Sequence, residues 1–202
     1  MNKDVMLMNS RFSIELRASY ALNYLIYLQN AILNKRKIGS ERRSKFPYLN
    51  IDDWHLAEGN FEGVFSEVFK VMSDKIALNP QIDHNGIGDT ASHIYRELFK
   101  PVTEGLEGYH ESWQSFNTWF GGYWGQYAIE RQVDNDLITK IDAKLRPHFQ
   151  TNRITILVLY DEPIWVHCEL KTTSYVYVVS FHQLKHALDQ TMERIIGSQH
   201  TG

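Results

Sequence analysis

Ile154-Thr-Ile-Leu-Val-Leu-Tyr160, Ile164-Trp-Val-His-Cys-Glu-Leu-Lys171 and Tyr175-Val-Tyr-Val-Val179 follow one another with only turn material between them. All three are rich in β-branched and aromatic residues, the composition of strands. Asp161-Glu-Pro163 reads as a turn, and the second segment alternates Ile164, Val166, Cys168 and Leu170 with Trp165, His167, Glu169 and Lys171. Connections this short predict antiparallel neighbours, because a parallel pair needs a crossover of a dozen or more residues. Ser180-Phe-His-Gln183 has capping-box spacing and opens a last helix whose face is Phe181, Leu184, Leu188, Met192 and Ile195.

Upstream the pattern is helical. Phe12, Ile14 and Leu16 alternate with polar residues over Arg11 to Arg17, which predicts one further strand for the sheet. From Ser19 to about Asn34, Ala21, Leu25, Leu28 and Ile32 mark a helix, and one helix over the whole of 11–34 is the alternative. Asn60 is placed to cap another, with Phe61, Val64, Phe65, Val68, Phe69, Met72 and Ile76 on one face. Asp89 is expected to open a short helix through Ile94, Tyr95 and Leu98, and Pro101 ends it. Tyr109 to Tyr127 concentrates aromatics, with Gly121, Gly122 and Gly125 predicting two helices at a glycine break or one kinked helix. Asn135 to Leu145 is a further helix, stopped by Pro147. The expectation is an α+β fold in one domain, residues 1–202. A mostly helical part covers about 11–149, and a small antiparallel sheet with its closing helix covers about 150–197.

The 202-residue chain is 43% hydrophobic and 22% charged, values that place it among globular proteins. Cys168 is the sole cysteine, so an intrachain disulfide is excluded and a reducing compartment is expected. No run approaches the roughly 18 apolar residues of a spanning helix. A cytoplasmic protein with no membrane partner is the resulting expectation. Charge is unevenly spread: residues 1–50 carry nine Lys/Arg and three Asp/Glu, and residues 51–145 carry seven and sixteen. The acidic middle disfavours general nucleic-acid binding and favours a basic protein partner or a cation.

Candidate chemistry is sparse. On a strand, Glu169 and Lys171 would share one face, because alternate side chains point the same way. Cys-Glu-Leu-Lys-Thr-Thr around them resembles the second half of the PD-(D/E)xK nuclease signature. That resemblance implies a divalent cation, Mg²⁺, held by two carboxylates, with the lysine supporting the attacking water. Asp161 is the nearby candidate for the second carboxylate.

His182 and His186 lie one helical turn apart and are weak metal-ligand candidates. Asp83-His84 lies among Asn and Gly residues and reads as turn material. Trp113, Trp119, Tyr123 and Trp124 are candidates for an exposed recognition patch, since more aromatics occur there than one helix face can bury. Lys35, Arg36, Lys37, Arg42 and Arg43 belong to a basic segment suited to phosphate or an acidic partner. No phosphate-binding glycine loop, dinucleotide fingerprint or nucleophile elbow is present.

The expected function is protein binding without catalysis, by a small cytosolic bacterial or phage protein of the toxin-immunity or anti-defence inhibitor type. No cofactor is expected. The alternatives are a metal-dependent nuclease, the one case needing Mg²⁺, and a nucleic-acid-binding accessory protein using the basic segment.

Overall fold

The computed structural model describes residues 12–36, 45–79, 83, 92–149, 153–166 and 175–198. Three strands, β1 (Ser13–Ala18), β2 (Arg153–Leu159) and β3 (Val176–Ser180), form a sheet in the order β1-β2-β3. Both pairings are parallel, with Ser13 opposite Arg153 and Thr155 opposite Val176. The expected antiparallel sheet is therefore wrong. Ile164 and Trp165, expected to begin the middle strand, lie in a turn, and a parallel β2–β3 pair cannot be joined by a hairpin. The physical reason is visible in β2. Every residue from Ile154 to Leu159 is buried, as happens when a strand is covered on both faces, and that is the environment of parallel sheets.

Helix α1 (Tyr20–Arg36) follows β1 after Ser19 alone. It is no one-faced surface helix: every residue from Tyr20 to Leu33 is buried. A helix buried all round belongs at the centre of a fold, and α1 packs against β2 and against two long outer helices, α2 (Phe61–Leu78) and α4 (Thr103–Phe120). Between these two, α3 (Ser92–Tyr95) runs into a 3₁₀ turn at Arg96–Leu98, and Leu56 makes an antiparallel bridge to Phe99. The Asn60 side chain accepts the Gly63 N–H and caps α2 as its sequence predicts.

Short helix α5 (Gln126–Arg131) follows the glycine break and packs near β1, and α6 (Asn135–Leu145) precedes β2. Ser180 and Gln183 form the predicted capping box. The closing helix is however two helices, α7 (Phe181–His186) and α8 (Leu188–Gly197), broken where Ala187 leaves helical geometry at φ −137°. Leu184, Met192 and Ile195 from its predicted face are buried, while Phe181 and Leu188 are half-buried. One contiguous cluster of buried side chains links sheet and helices, from Phe12 to Ile195. Among the described residues no helix is long and apolar enough to cross a membrane.

Candidate functional site

The aromatic segment divides cleanly. On the inner face of α4, Tyr109, Phe116 and Phe120 are buried, with Trp113 and Trp119 half-buried beside them. Trp113 meets Tyr24 edge-on at 4.7 Å, and Trp119 lies 4.6 Å from Phe46 and 5.1 Å from Tyr160. Burial pushes the Tyr24 and Tyr95 phenols well above their ordinary range, so they stay neutral. The Tyr24 hydroxyl shares a 2.8 Å hydrogen bond with Ser112, and Tyr20 donates to Asn117. Two of the four candidate aromatics, Trp113 and Trp119, thus belong chiefly to the core.

Beyond Phe120 the chain turns sharply. A Cβ on Gly125 would lie 2.3 Å from the Phe120 Cα and 2.5 Å from the carbonyl oxygens of Phe120 and Trp119. Only glycine allows α5 to start so close to the end of α4. The tight turn projects Tyr123 and Trp124 outward. Trp124 is 77% exposed, Tyr123 55% and Tyr127 50%.

These three rings are organised. Tyr123 stands edge-on to Trp124 at 4.9 Å and lies 5.1 Å from Tyr127. Arg131 donates to the Tyr123 hydroxyl at 3.2 Å, and its guanidinium sits 5.8 Å from the centre of the Tyr127 ring. Tyr127 and Arg131 are additions to the predicted patch, and the sequence held a signal for them. Tyr127 and Arg131 are spaced by four, which stacks their side chains on one face of α5, and Tyr123 meets them from the turn before it.

The basic candidates are structural where described. Lys35 pairs with Asp52 at 2.6 Å, and that contact holds the Asp52 carboxyl below its ordinary range. Arg36 pairs with Glu62 at 3.3 Å and lies about 6 Å over the Phe61 and Trp165 rings. Lys37, Arg42 and Arg43 lie outside the described residues.

The carboxyl ends of the three strands share one edge, the usual ligand side of an open parallel sheet. Asp161 stands there beside the end of β2. One of its carboxylate oxygens accepts from Lys45 at 2.5 Å and Asn30 at 2.9 Å, and the other accepts the Glu162 N–H at 2.8 Å. Its acceptors are engaged in fastening the 45–47 segment to the sheet edge. Glu169 and Lys171, its expected partners, lie outside the described residues. Glu162 reaches His182 at 3.2 Å, and the His182 and His186 rings are 4.7 Å apart. Both histidines are exposed, and no group of three or more metal-binding side chains converges among the described residues.

At the end of β1, Asp83 is buried rather than a solvated turn residue. It accepts the Ala21 N–H at 2.9 Å and the Ser19 hydroxyl at 3.2 Å, with Arg17 3.7 Å away. Burial raises its pKa, against the opposing pull of these donors. A carboxylate at the start of α1 also meets the positive end of the helix dipole.

Elsewhere, a cleft of about 550 Å³ is lined by Val64, Phe99, His93, Arg96, Glu97 and Lys100 among others. Glu58 holds Lys100 at 2.5 Å, and with Glu97 beside Arg96 the cleft favours neither charge. Comparison with known protein families, with curated proteins and with solved structures finds no match.

Proposed function

We propose that this protein acts in the cytoplasm by binding another protein through the ridge formed by Tyr123, Trp124, Tyr127 and Arg131. The observation that carries this reading is the exposure of Trp124. A tryptophan left 77% in water, on a turn whose close approach to α4 leaves room only for Gly125, spends apolar surface where folding gains nothing from it. Tryptophan, tyrosine and arginine are also the residues that dominate binding hot spots. Arg131 holds Tyr123 and Tyr127 in place before any partner arrives, so little side-chain freedom is lost on association. A binding role of this kind suits a small inhibitor of the immunity or anti-defence type, and the lone cysteine fits a reducing compartment.

The test is affinity purification from the source cell with wild-type protein and with Trp124→Ala, followed by mass spectrometry and a binding measurement on the recovered partner. A hot-spot tryptophan is worth about 2 kcal/mol or more, so Trp124→Ala is expected to weaken binding about thirtyfold. Equal affinity for both proteins, with both folded, would refute the proposal.

A further inference from the structure

We infer that the partner presents a basic surface, docking along the outer face of α4 with the aromatic ridge as its anchor; this rests on the ridge being a protein-binding site. The inner face of α4 is fully used. Gly108 abuts the Trp54 carbonyl so closely that a Cβ would lie 2.1 Å from its oxygen, and Tyr109, Ser112, Phe116 and Phe120 are buried. Its outer face carries Glu104, Glu107 and Glu111, all exposed.

Charge selects the occupant. From Thr103 to Asp136 the chain has six carboxylates and one Lys or Arg, Arg131, and Arg131 already serves Tyr123 and Tyr127. Glu107 and Glu111 are one turn apart, an arrangement that weakens a helix through like-charge repulsion. No ion pair relieves Glu104, Glu107 or Glu111 among the described residues. Lysines or arginines on a partner would supply that relief, and they would also meet the electron-rich faces of Trp124 and Tyr123. At 1.5 Å per residue, Glu107 lies about 20 Å along the axis from the end of α4. A standard interface, roughly 800 Å² per partner, spans that distance. An acidic or nucleic-acid partner would face the same carboxylates unfavourably.

The experiment places a photo-crosslinking phenylalanine analogue at Tyr127 in the full chain, in its own cell, and identifies the captured protein. That protein is then purified, and its affinity is measured against wild type, Trp124→Ala and the double variant Glu107→Lys/Glu111→Lys at low and high salt, about one and several times the concentration at which the Debye length is roughly 10 Å. All three chains are checked for folding by circular dichroism. The inference expects at least about tenfold weaker binding for the double variant, and a wild-type affinity that falls with salt. Binding lost in Trp124→Ala but indifferent to charge reversal and salt would overturn the basic-partner inference and leave the aromatic anchor standing. No crosslinked partner, or binding indifferent to Trp124→Ala, would overturn both.

Discussion

The Asn23 side chain accepts the Tyr160 backbone N–H at 2.8 Å and donates to the Val158 carbonyl at 2.9 Å, so a residue of α1 completes the hydrogen bonding of β2 at its carboxyl end. Two turns on, Gln29 repeats the arrangement. It accepts from the Ile164 N–H at 2.7 Å and donates to the Glu162 carbonyl at 2.8 Å. These buried amides are why a helix with no solvent face tolerates polar residues: each bonds backbone groups at or just beyond the end of β2.

Replacing Asn23 by alanine is expected to destabilise the protein by about 1–3 kcal/mol. The loss comes chiefly from the Tyr160 N–H, left without its acceptor at roughly 1–3 kcal/mol, whereas the Val158 carbonyl keeps the Ser19 N–H at 3.4 Å. Urea unfolding measures it. A change below about 1 kcal/mol would mean that water reaches the Val158–Tyr160 backbone.

Asp83 gives a pH dependence of definite sign. Burial raises its folded pKa above the unfolded value. Its contribution to stability is therefore fully present below the ordinary carboxylate pKa of about 3.9 and is lost as pH rises through the folded value. Asp83→Asn keeps a carbonyl to accept from Ala21 and Ser19 and removes the ionisation. The stability of the variant relative to wild type is expected to climb with pH from about 4 and then level off above the folded pKa. Paired urea titrations across that range check this, and a difference that stays flat would show that burial does not shift Asp83.

Much of the local structure was legible in the sequence, and the places where reading failed share one cause. Asn60, Ser180 and Gln183 act through neighbours three residues away, so their caps were predictable. Sheet direction was not, although the unbroken apolar run from Ile154 to Leu159 carries the mark of a strand buried on both faces. The alternation beginning at Ile164 imitates a strand, yet the backbone there is held in a turn by Gln29, far away in sequence. Asp83 reads as turn material because nothing beside it announces burial; Ser19 and Ala21 create it. In the aromatic segment the excess of rings was evident. Which of them face water depends on how closely α5 approaches α4 at Gly125, and spacing does not reveal that distance.

Gly125→Ala is expected to cost about 1–3 kcal/mol, the usual range for overpacking, since the new methyl would meet backbone atoms of Phe120 and Trp119 rather than a flexible side chain. Gly197, in the last turn of α8, has open space where a Cβ would stand, with nothing within 4 Å. Gly197→Ala is therefore expected to be neutral or stabilising by up to about 1 kcal/mol. Thermal melts of the two variants should move apart. Equal melting temperatures would show that the turn after α4 can relax, and that the ridge is less rigid than its contacts imply.

Trp124 and Phe116 should separate binding from folding. Phe116 is fully buried and packs on Tyr20, Tyr24 and Phe120, so Phe116→Ala is expected to cost about 3–5 kcal/mol. Trp124→Ala should stay within about 0.5 kcal/mol of wild type, as surface substitutions do. Iodide quenching gives an independent reading of the same geometry. Trp54 and Trp165 are buried, and Trp113 and Trp119 are half-buried, so Trp124 should account for most of the quenchable fluorescence among the five tryptophans. Trp124→Phe is expected to remove most of that quenching, and Trp54→Phe almost none. If quenching persists undiminished in Trp124→Phe, Trp124 is covered in solution and the ridge is not available to a partner.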